Sequence, residues 1–295
     1  MRVIALGFFD GVHLGHGALL RQARRRADEL GCSAAAVTFD PHPVERIFGV
    51  KQPLINTLAD RRRLMTDLYH MDEVLTVDFD QSFMHLPWRA FVTDYLVAKL
   101  NAVHLVCGHD YAFGYQGLGN ARRLKALCDE LGVGLDVIER VENGGDVVSS
   151  TRIRQLLKEG DLETANQLLG HPHFFCGTVV HGKQLGRRLG FPTANQIMPD
   201  GMVEMARGVY ATRILLPDGS CHMAVTNVGH RPTVDSDNEV RVESWLLDYT
   251  GDLYGQELQV QFCKFLRPEQ KFADIEALTA AIHRDAKAAA AYFSE

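Results

Sequence analysis

Two stretches of this 295-residue chain combine residue types and spacings suited to phosphate chemistry. The first is Gly7-Phe-Phe-Asp-Gly-Val-His-Leu-Gly-His16. A glycine-flanked turn that opens a helix presents unpaired backbone N–H groups and the positive end of a dipole to an anion. His13 and His16 stand three apart, on the same turn, where imidazole N–H groups can donate to a polyphosphate as charge develops. A lone histidine near a turn is usually an ordinary surface residue. The pair, with Gly7, Phe8 and Asp10 before it and Gly15 inside it, reads as a phosphate site. Downstream, Phe39-Asp40-Pro41-His42-Pro43 carries two prolines, predicting an extended loop able to hold a flat ring. A further string, Ser149-Ser150-Thr151-Arg152-Ile153-Arg154, reads either as a structural helix cap or as a clamp on phosphates through two hydroxyls and Arg154.

The second stretch spans residues 177–196. Gly182, Gly186 and Gly190 permit a tight loop whose backbone can approach phosphate, and Lys183, Arg187 and Arg188 add positive charge. Thr193 and Asn195 follow in Pro-Thr-Ala-Asn; hydroxyl and amide oxygens are hard donors suited to Mg²⁺ bridging nucleotide phosphates. Without further support this is equally a glycine-rich hairpin. Glu243 and Trp245 lie on a strand pattern, and alternation places both on one face.

The elements that must position these residues fall into two textures. Through residue 170, short apolar strands (2–7, 33–39, 73–77, 103–107, 133–138) alternate with helical spacings (16–30, 58–69, 88–100, 120–131), predicting a parallel, doubly wound α/β sheet with functional loops at the strands' C-terminal ends. From about residue 175, strands at 208–216, 223–228, 240–249 and 258–265 are broken by polar turns, predicting a closed antiparallel β-barrel. An alanine-rich helix at 275–293 packs on it. The boundary is placed at Gly170-His171-Pro172, giving domains 1–170 and 171–295.

Composition limits the partners. Hydrophobic residues make up 46% and charged residues 23%, with net charge −6. Residues 1–170 hold 19 Lys and Arg against 22 Asp and Glu, the remainder 12 against 15, so neither half is a basic nucleic-acid domain. Six cysteines without a CxxC pair suit reduced thiols. The N-terminus reads as a strand and not a leader, and no apolar run reaches the roughly 18 residues of a membrane helix. The expectation is a cytoplasmic protein that binds neither nucleic acid nor membrane.

The His-x-Gly-His signature resembles nucleotidylyltransferases. With Asp10-Gly11 before it, residues 39–43, the 149–154 string and Cys107-Gly-His-Asp-Tyr-Ala-Phe-Gly114, the first domain resembles the FMN-adenylyltransferase half of bacterial bifunctional FAD synthetases. Residues 177–196, 227–233, 242–249, 251–255 and 266–272 resemble riboflavin kinase in order and spacing. The resemblance covers about residues 1–165 and 172–290. It implies a Rossmann-like nucleotidylyltransferase domain and a riboflavin kinase barrel, using ATP and Mg²⁺ to turn riboflavin into FMN and FMN into FAD. It further implies Glu243 as catalytic base, with His13 and His16 acting on the transferring phosphates. Gly7, Phe8, Asp10, Gly15, Ser150, Thr151, Arg154, Gly182, Lys183, Gly186, Arg187 and Gly190 would contact nucleotide or phosphate. Pro41, His42, Pro43, Asp110, Trp245 and Arg267 would contact flavin, and Thr193 and Asn195 the metal. Phe8, Ala112 and Trp245 depart from the family pattern. The expected state is a monomer or weak homo-oligomer with small-molecule partners. Two alternatives are a different mononucleotide acceptor, such as phosphopantetheine or nicotinate mononucleotide, and a binding regulator with decayed catalysis; the kinase-like barrel argues against the first, and His13, His16, Asn195 and Glu243 together against the second.

Overall fold

The computed structural model describes residues 1–182, 186, 189–230 and 239–294; Lys183, Arg187 and Arg188 lie outside them. The chain divides into two compact units, Met1–Leu54 with Leu58–Ser150, and Thr151–Glu295 with Ile55–Thr57.

In the first unit, five strands form a parallel sheet: β1 (Arg2–Leu6), β2 (Ser33–Asp40), β3 (Glu73–Asp78), β4 (Ala102–Gly108) and β5 (Gly134–Ile138), in the order β3-β2-β1-β4-β5. Val3, Ile4, Ala5 and Leu6 are buried on both faces, as a central parallel strand requires. The order steps outward from β1 in both directions, so the loops after β1 and β4 diverge at a switch point where α/β sheets bind ligands. Helix α1 (Leu14–Leu30) returns the chain from β1 to β2, burying Leu19, Leu20, Ala23 and Ala27, and Gly31 ends it in the left-handed conformation. A short helix α2 (Pro43–Phe48) follows β2, then α3 (Leu58–Tyr69). Gly17 of α1 meets α3 so closely that a Cβ there would sit 2.3 Å from the Tyr69 hydroxyl oxygen. Helix α4 (Ala121–Leu131) precedes β5.

The second unit opens with α5 (Ser150–Glu159, whose first residue closes the first unit) and α6 (Leu162–Leu169). Its sheet comprises β6 (His173–Thr178), β7 (Ala194–Ile197), β8 (Gly208–Leu215), β9 (Cys221–His230), β10 (Val240–Leu246) and β11 (Glu257–Pro268). The order is β6-β11-β8-β9-β10-β7, antiparallel throughout. The ends come together where Val180 bridges Asn195 and the Gln196 amide donates to the Gly177 carbonyl at 2.7 Å, nearly closing a barrel. Phe175, Tyr210 and Phe262 fill the interior beside a buried hydroxyl ladder, Thr212–Thr226–Ser244. Helix α7 (Ile275–Ser294) lies on β8 and β9, with Ala281, Asp285 and Ala289 buried.

The sequence reading named four barrel strands; β6 and β7 supply the rest. The extended shape expected at residues 39–43 holds through Phe39 and Asp40, which end β2, and His42 (φ −59°, ψ 129°), and stops at Pro43. Pro43 starts α2, because proline at a first helical position has no N–H to lose, and His42 caps the helix by accepting the Val44 N–H at 3.1 Å.

Candidate functional site

In the first unit the chain leaves β1 through a turn in which Phe9 (φ 59°), Gly11 (φ 81°) and Val12 (φ 41°) are left-handed. Two of these are not glycine, so tertiary packing must hold the turn. Phe9 is fully buried, and Gly7 leaves room for its ring, since a Cβ there would lie 3.1 Å from it. His13 caps α1: its Nδ1 accepts the His16 N–H at 3.2 Å. Neutral His13 therefore carries its proton on Nε2. The two imidazoles stack at 3.6 Å, 12° from parallel, and Gly15 permits this because a Cβ would stand 3.1 Å from the His13 ring. Burial holds His16 neutral, its pKa well below the usual 6.5, with His13 and Arg61 adding to the effect. Its Nδ1 is buried without a hydrogen-bond partner. Asp10 is buried, and the Ser150 hydroxyl donates to its carbonyl at 2.8 Å. The result is a helix N-terminus fronted by two stacked imidazoles, a place for an anion.

Thr151 and Arg154 group with the second unit, where Thr151 is exposed and Arg154 buried. Phe8 packs against His42, ring centroids 4.0 Å apart, and under the Arg61 guanidinium at 4.2 Å. Arg61, which the sequence reading did not single out, is 1% exposed.

The first unit also holds a cavity of about 550 Å³ walled by Phe39, Pro43, Phe79, Phe83, Phe91, Tyr111, Ala112 and Phe113. The rings meet edge to face, Phe39–Phe79 at 5.6 Å and Phe83–Phe91 at 5.7 Å, as aromatic quadrupoles prefer. Its size and apolar aromatic walls suit a tricyclic ring. Of the expected flavin residues only Pro43 lines it; Pro41 and His42 precede it, and Asp110 is exposed in the loop after β4, next to Tyr111. Aromatic residues scattered from position 39 to 113 build the walls, with no period to reveal them.

In the second unit Thr193, Glu243, Trp245 and Arg267 line one cavity of about 650 Å³ on the barrel's outer face, together with Gly186, Phe191, Phe272 and, from α7, Leu278, Ile282 and Asp285. Val242, Ser244 and Leu246 turn inward, which leaves Glu243 and Trp245 facing the cavity, as alternation predicts. Phe191 meets Trp245 edge to face at 4.8 Å. Glu243 stands opposite Asn195 of β7 and Asn227 of β9. Arg267 spends its guanidinium on Asp285, with Nε–Oδ1 3.0 Å and Nη2–Oδ2 2.7 Å, pinning α7 over the cavity.

A smaller cavity of about 270 Å³ is lined by Gly182, Thr193, Asn195, Tyr249 and Tyr254. Thr193 lines both. The Asn195 amide nitrogen donates to the Thr193 carbonyl and hydroxyl at 3.2 and 3.3 Å, which orients Oδ1 as an acceptor. Gly182 is required there, since a Cβ would lie 2.5 Å from Asn195 Oδ1. Gly186 is required likewise by the Phe191 carbonyl at 2.3 Å, and Gly190 adopts φ 88°. Thr193 and Asn195 offer two neutral oxygens, a set that fits a Mg²⁺ completed by phosphate oxygens and water. No cluster of three or more His, Cys, Asp or Glu able to hold a metal exists among the described residues.

Comparison with known proteins follows this division. The FAD synthetase family profile matches residues 1–152 and the riboflavin kinase profile residues 169–293. The chain is 37% identical to the bifunctional riboflavin kinase/FMN adenylyltransferase of Listeria monocytogenes, covering 100% of this chain and 93% of that protein. It is 39% identical to the Pseudomonas fluorescens enzyme of the same description (98% and 92% covered) and 37% identical to that of Escherichia coli K12 (99% and 92%). A crystal structure described as a macrolide-efflux protein from Streptococcus pneumoniae superposes with a TM-score of 0.87 at 31% identity, covering 97% of this chain and 92% of that one.

Proposed function

The chain belongs to the family of bifunctional riboflavin kinase/FMN adenylyltransferases, and from that premise we propose that it phosphorylates riboflavin to FMN and adenylylates FMN to FAD. The division of labour is residues 171–295 for the kinase step and 1–170 for adenylylation. The observation that carries the kinase reading is Thr193, which lines both the flavin-sized cavity holding Glu243 and the smaller one beside it.

In the barrel, riboflavin lies between Phe191, Trp245 and Phe272, its ribityl 5′-hydroxyl toward Glu243. ATP occupies the smaller cavity with its γ-phosphate at Thr193. Glu243 accepts the hydroxyl proton as the new O–P bond forms and the bond to the β-phosphate oxygen breaks, releasing ADP. Mg²⁺, held by Thr193 and Asn195, would neutralise phosphate charge. In the α/β unit, an FMN phosphate oxygen attacks the α-phosphorus of ATP and pyrophosphate leaves. The N-terminus of α1, His13 Nε2–H and His16 stabilise the charge in transit, and Ser150 helps to hold the phosphates. Positioning and electrostatics suffice, without a covalent intermediate. The aromatic cavity holds the isoalloxazine. The same reading places the enzyme in the cytoplasm as a monomer or weak homo-oligomer.

The test is Glu243→Gln, assayed by chromatographic separation of flavins. FMN formation should fall about 100- to 10,000-fold, the range for a general base, while FMN supplied directly is still converted to FAD. Loss of both activities would refute the assignment of the two steps to the two units.

A further inference from the structure

Arg61 sits on α3, 1% exposed, beneath the turn that joins β1 to α1. Its Nη1 donates to the Phe8 carbonyl at 2.8 Å and to the Thr38 hydroxyl at 3.0 Å, and that hydroxyl donates to the same carbonyl at 2.7 Å. The guanidinium also lies 4.2 Å from the Phe8 ring centroid. Its Nε is buried without a hydrogen-bond partner. Burial works against its charge, and Asp10 and Asp40 support it through space.

A methionine would fill such a site at less cost than a desolvated cation, if packing were the whole purpose. The cation instead sits behind Phe8, one residue before the left-handed Phe9, in a turn that nothing but surrounding contacts can hold. We propose that Arg61 is a positioning residue for adenylyl transfer: with Thr38 it clamps the Phe8 carbonyl, fixing the turn that aims the α1 N-terminus and the His13–His16 stack at the polyphosphate. Its buried charge adds positive potential under an incoming anion, where low dielectric strengthens it. The titratable and charged groups facing His16 are His13 from its own turn and Arg61 from α3; those facing Arg61 are Asp10, Asp40 and His16. Arg61 is thus the cation that helps His16 stay neutral.

This inference rests on the adenylyltransferase reading, and the controls separate the two. Wild type, Arg61→Met, Arg61→Lys and Thr38→Val are assayed for FMN-to-FAD and riboflavin-to-FMN conversion on the same preparations, with the His16 ring titrated by NMR. Wild type that forms no FAD at all defeats the functional reading itself. With wild type active, Arg61→Met should lower kcat for FAD formation about 100-fold, the effect of an ångström-scale misplacement, with the kinase step intact. Arg61→Lys should recover most of the loss, and His16 in Arg61→Met should take up its proton at higher pH than in wild type. Thr38→Val, which leaves the charge in place, should lose about tenfold and decides the question if Arg61→Met fails to fold. FAD formation at the wild-type rate in Arg61→Met or in Thr38→Val overturns the proposal. So does a loss in Arg61→Met that lysine does not relieve while the His16 titration stays put, because that pattern marks packing alone.

Discussion

Replacing Asp285 with Asn should loosen α7 from the cavity that Glu243 lines. The pair it forms with Arg267 is nearly but not wholly buried, with side chains 9% and 22% exposed, and it is held by Nε–Oδ1 and Nη2–Oδ2 contacts at 3.0 and 2.7 Å. Breaking a fully buried pair costs about 3–5 kcal/mol, because the remaining charge is stranded. An exposed pair contributes about 0.2–1 kcal/mol. Arg267 keeps one further acceptor, the Pro268 carbonyl at 3.1 Å, and some solvent, so the cost here is about 2–3 kcal/mol. That is a rise of about 30- to 140-fold in the local opening constant, at about 1.4 kcal/mol per decade. Hydrogen exchange of the α7 amides reads the opening directly, and KM for riboflavin should rise with it. A double-mutant cycle supplies the control: Arg267→Met with Asp285→Leu removes both charges and should cost less than Asp285→Asn alone. Exchange within 0.5 kcal/mol of wild type in Asp285→Asn, or a double variant as damaged as the sum of its parts, would refute the electrostatic account.

Two further changes test the packing around the sites. His173 is fully buried, neither ring nitrogen has a partner, and burial lowers its pKa to about 3. The unfolded chain takes up a proton there below about pH 6.5 and the folded chain does not until about pH 3, so folding stability falls by up to about 1.4 kcal/mol per unit as pH drops through that window. His173→Phe keeps the ring against Phe262 and should stabilise by about 1–2 kcal/mol at pH 7, with the gain over wild type widening toward pH 4 in urea titrations; a pH-independent difference contradicts this. Gly114 lines the aromatic cavity at φ 71°, and a Cβ there would lie 2.4 Å from the Trp88 Cα. Gly114→Ala should cost about 2–4 kcal/mol and reduce FAD formation while FMN formation continues, read from the flavin product ratio.

The five parallel strands were legible because each is a short apolar run, and the His-x-Gly-His turn because its chemistry is local in sequence. Arg61 was not. It belongs to the run Asp60-Arg61-Arg62-Arg63, which reads as a solvated helix face, and only the approach of α3 to the β1 turn buries it. β7 is four residues long and β6 begins His-Phe-Phe and ends through glycine, so neither shows clean alternation. The helix after residue 42 was legible in principle from a proline at its first position. Neither cavity wall follows a repeat, because each is assembled from separate strands and loops. The Arg267 guanidinium could be placed near flavin from its string, but its commitment to Asp285, 18 residues onward on another element, is a tertiary fact.

The bond that starts α1 also limits what His13 can be. One lone pair on Nδ1 holds the His16 N–H, and a proton on that nitrogen would have to evict it. Charging this imidazole and keeping the helix wound to its first residue are rival states of a single orbital. The ring can offer a hydrogen from Nε2, yet it cannot collect a second one on Nδ1 without giving up the bond that starts the helix. On the proposed reading, such a ring is suited to steadying charge, and attack by an already ionised phosphate asks no proton of it.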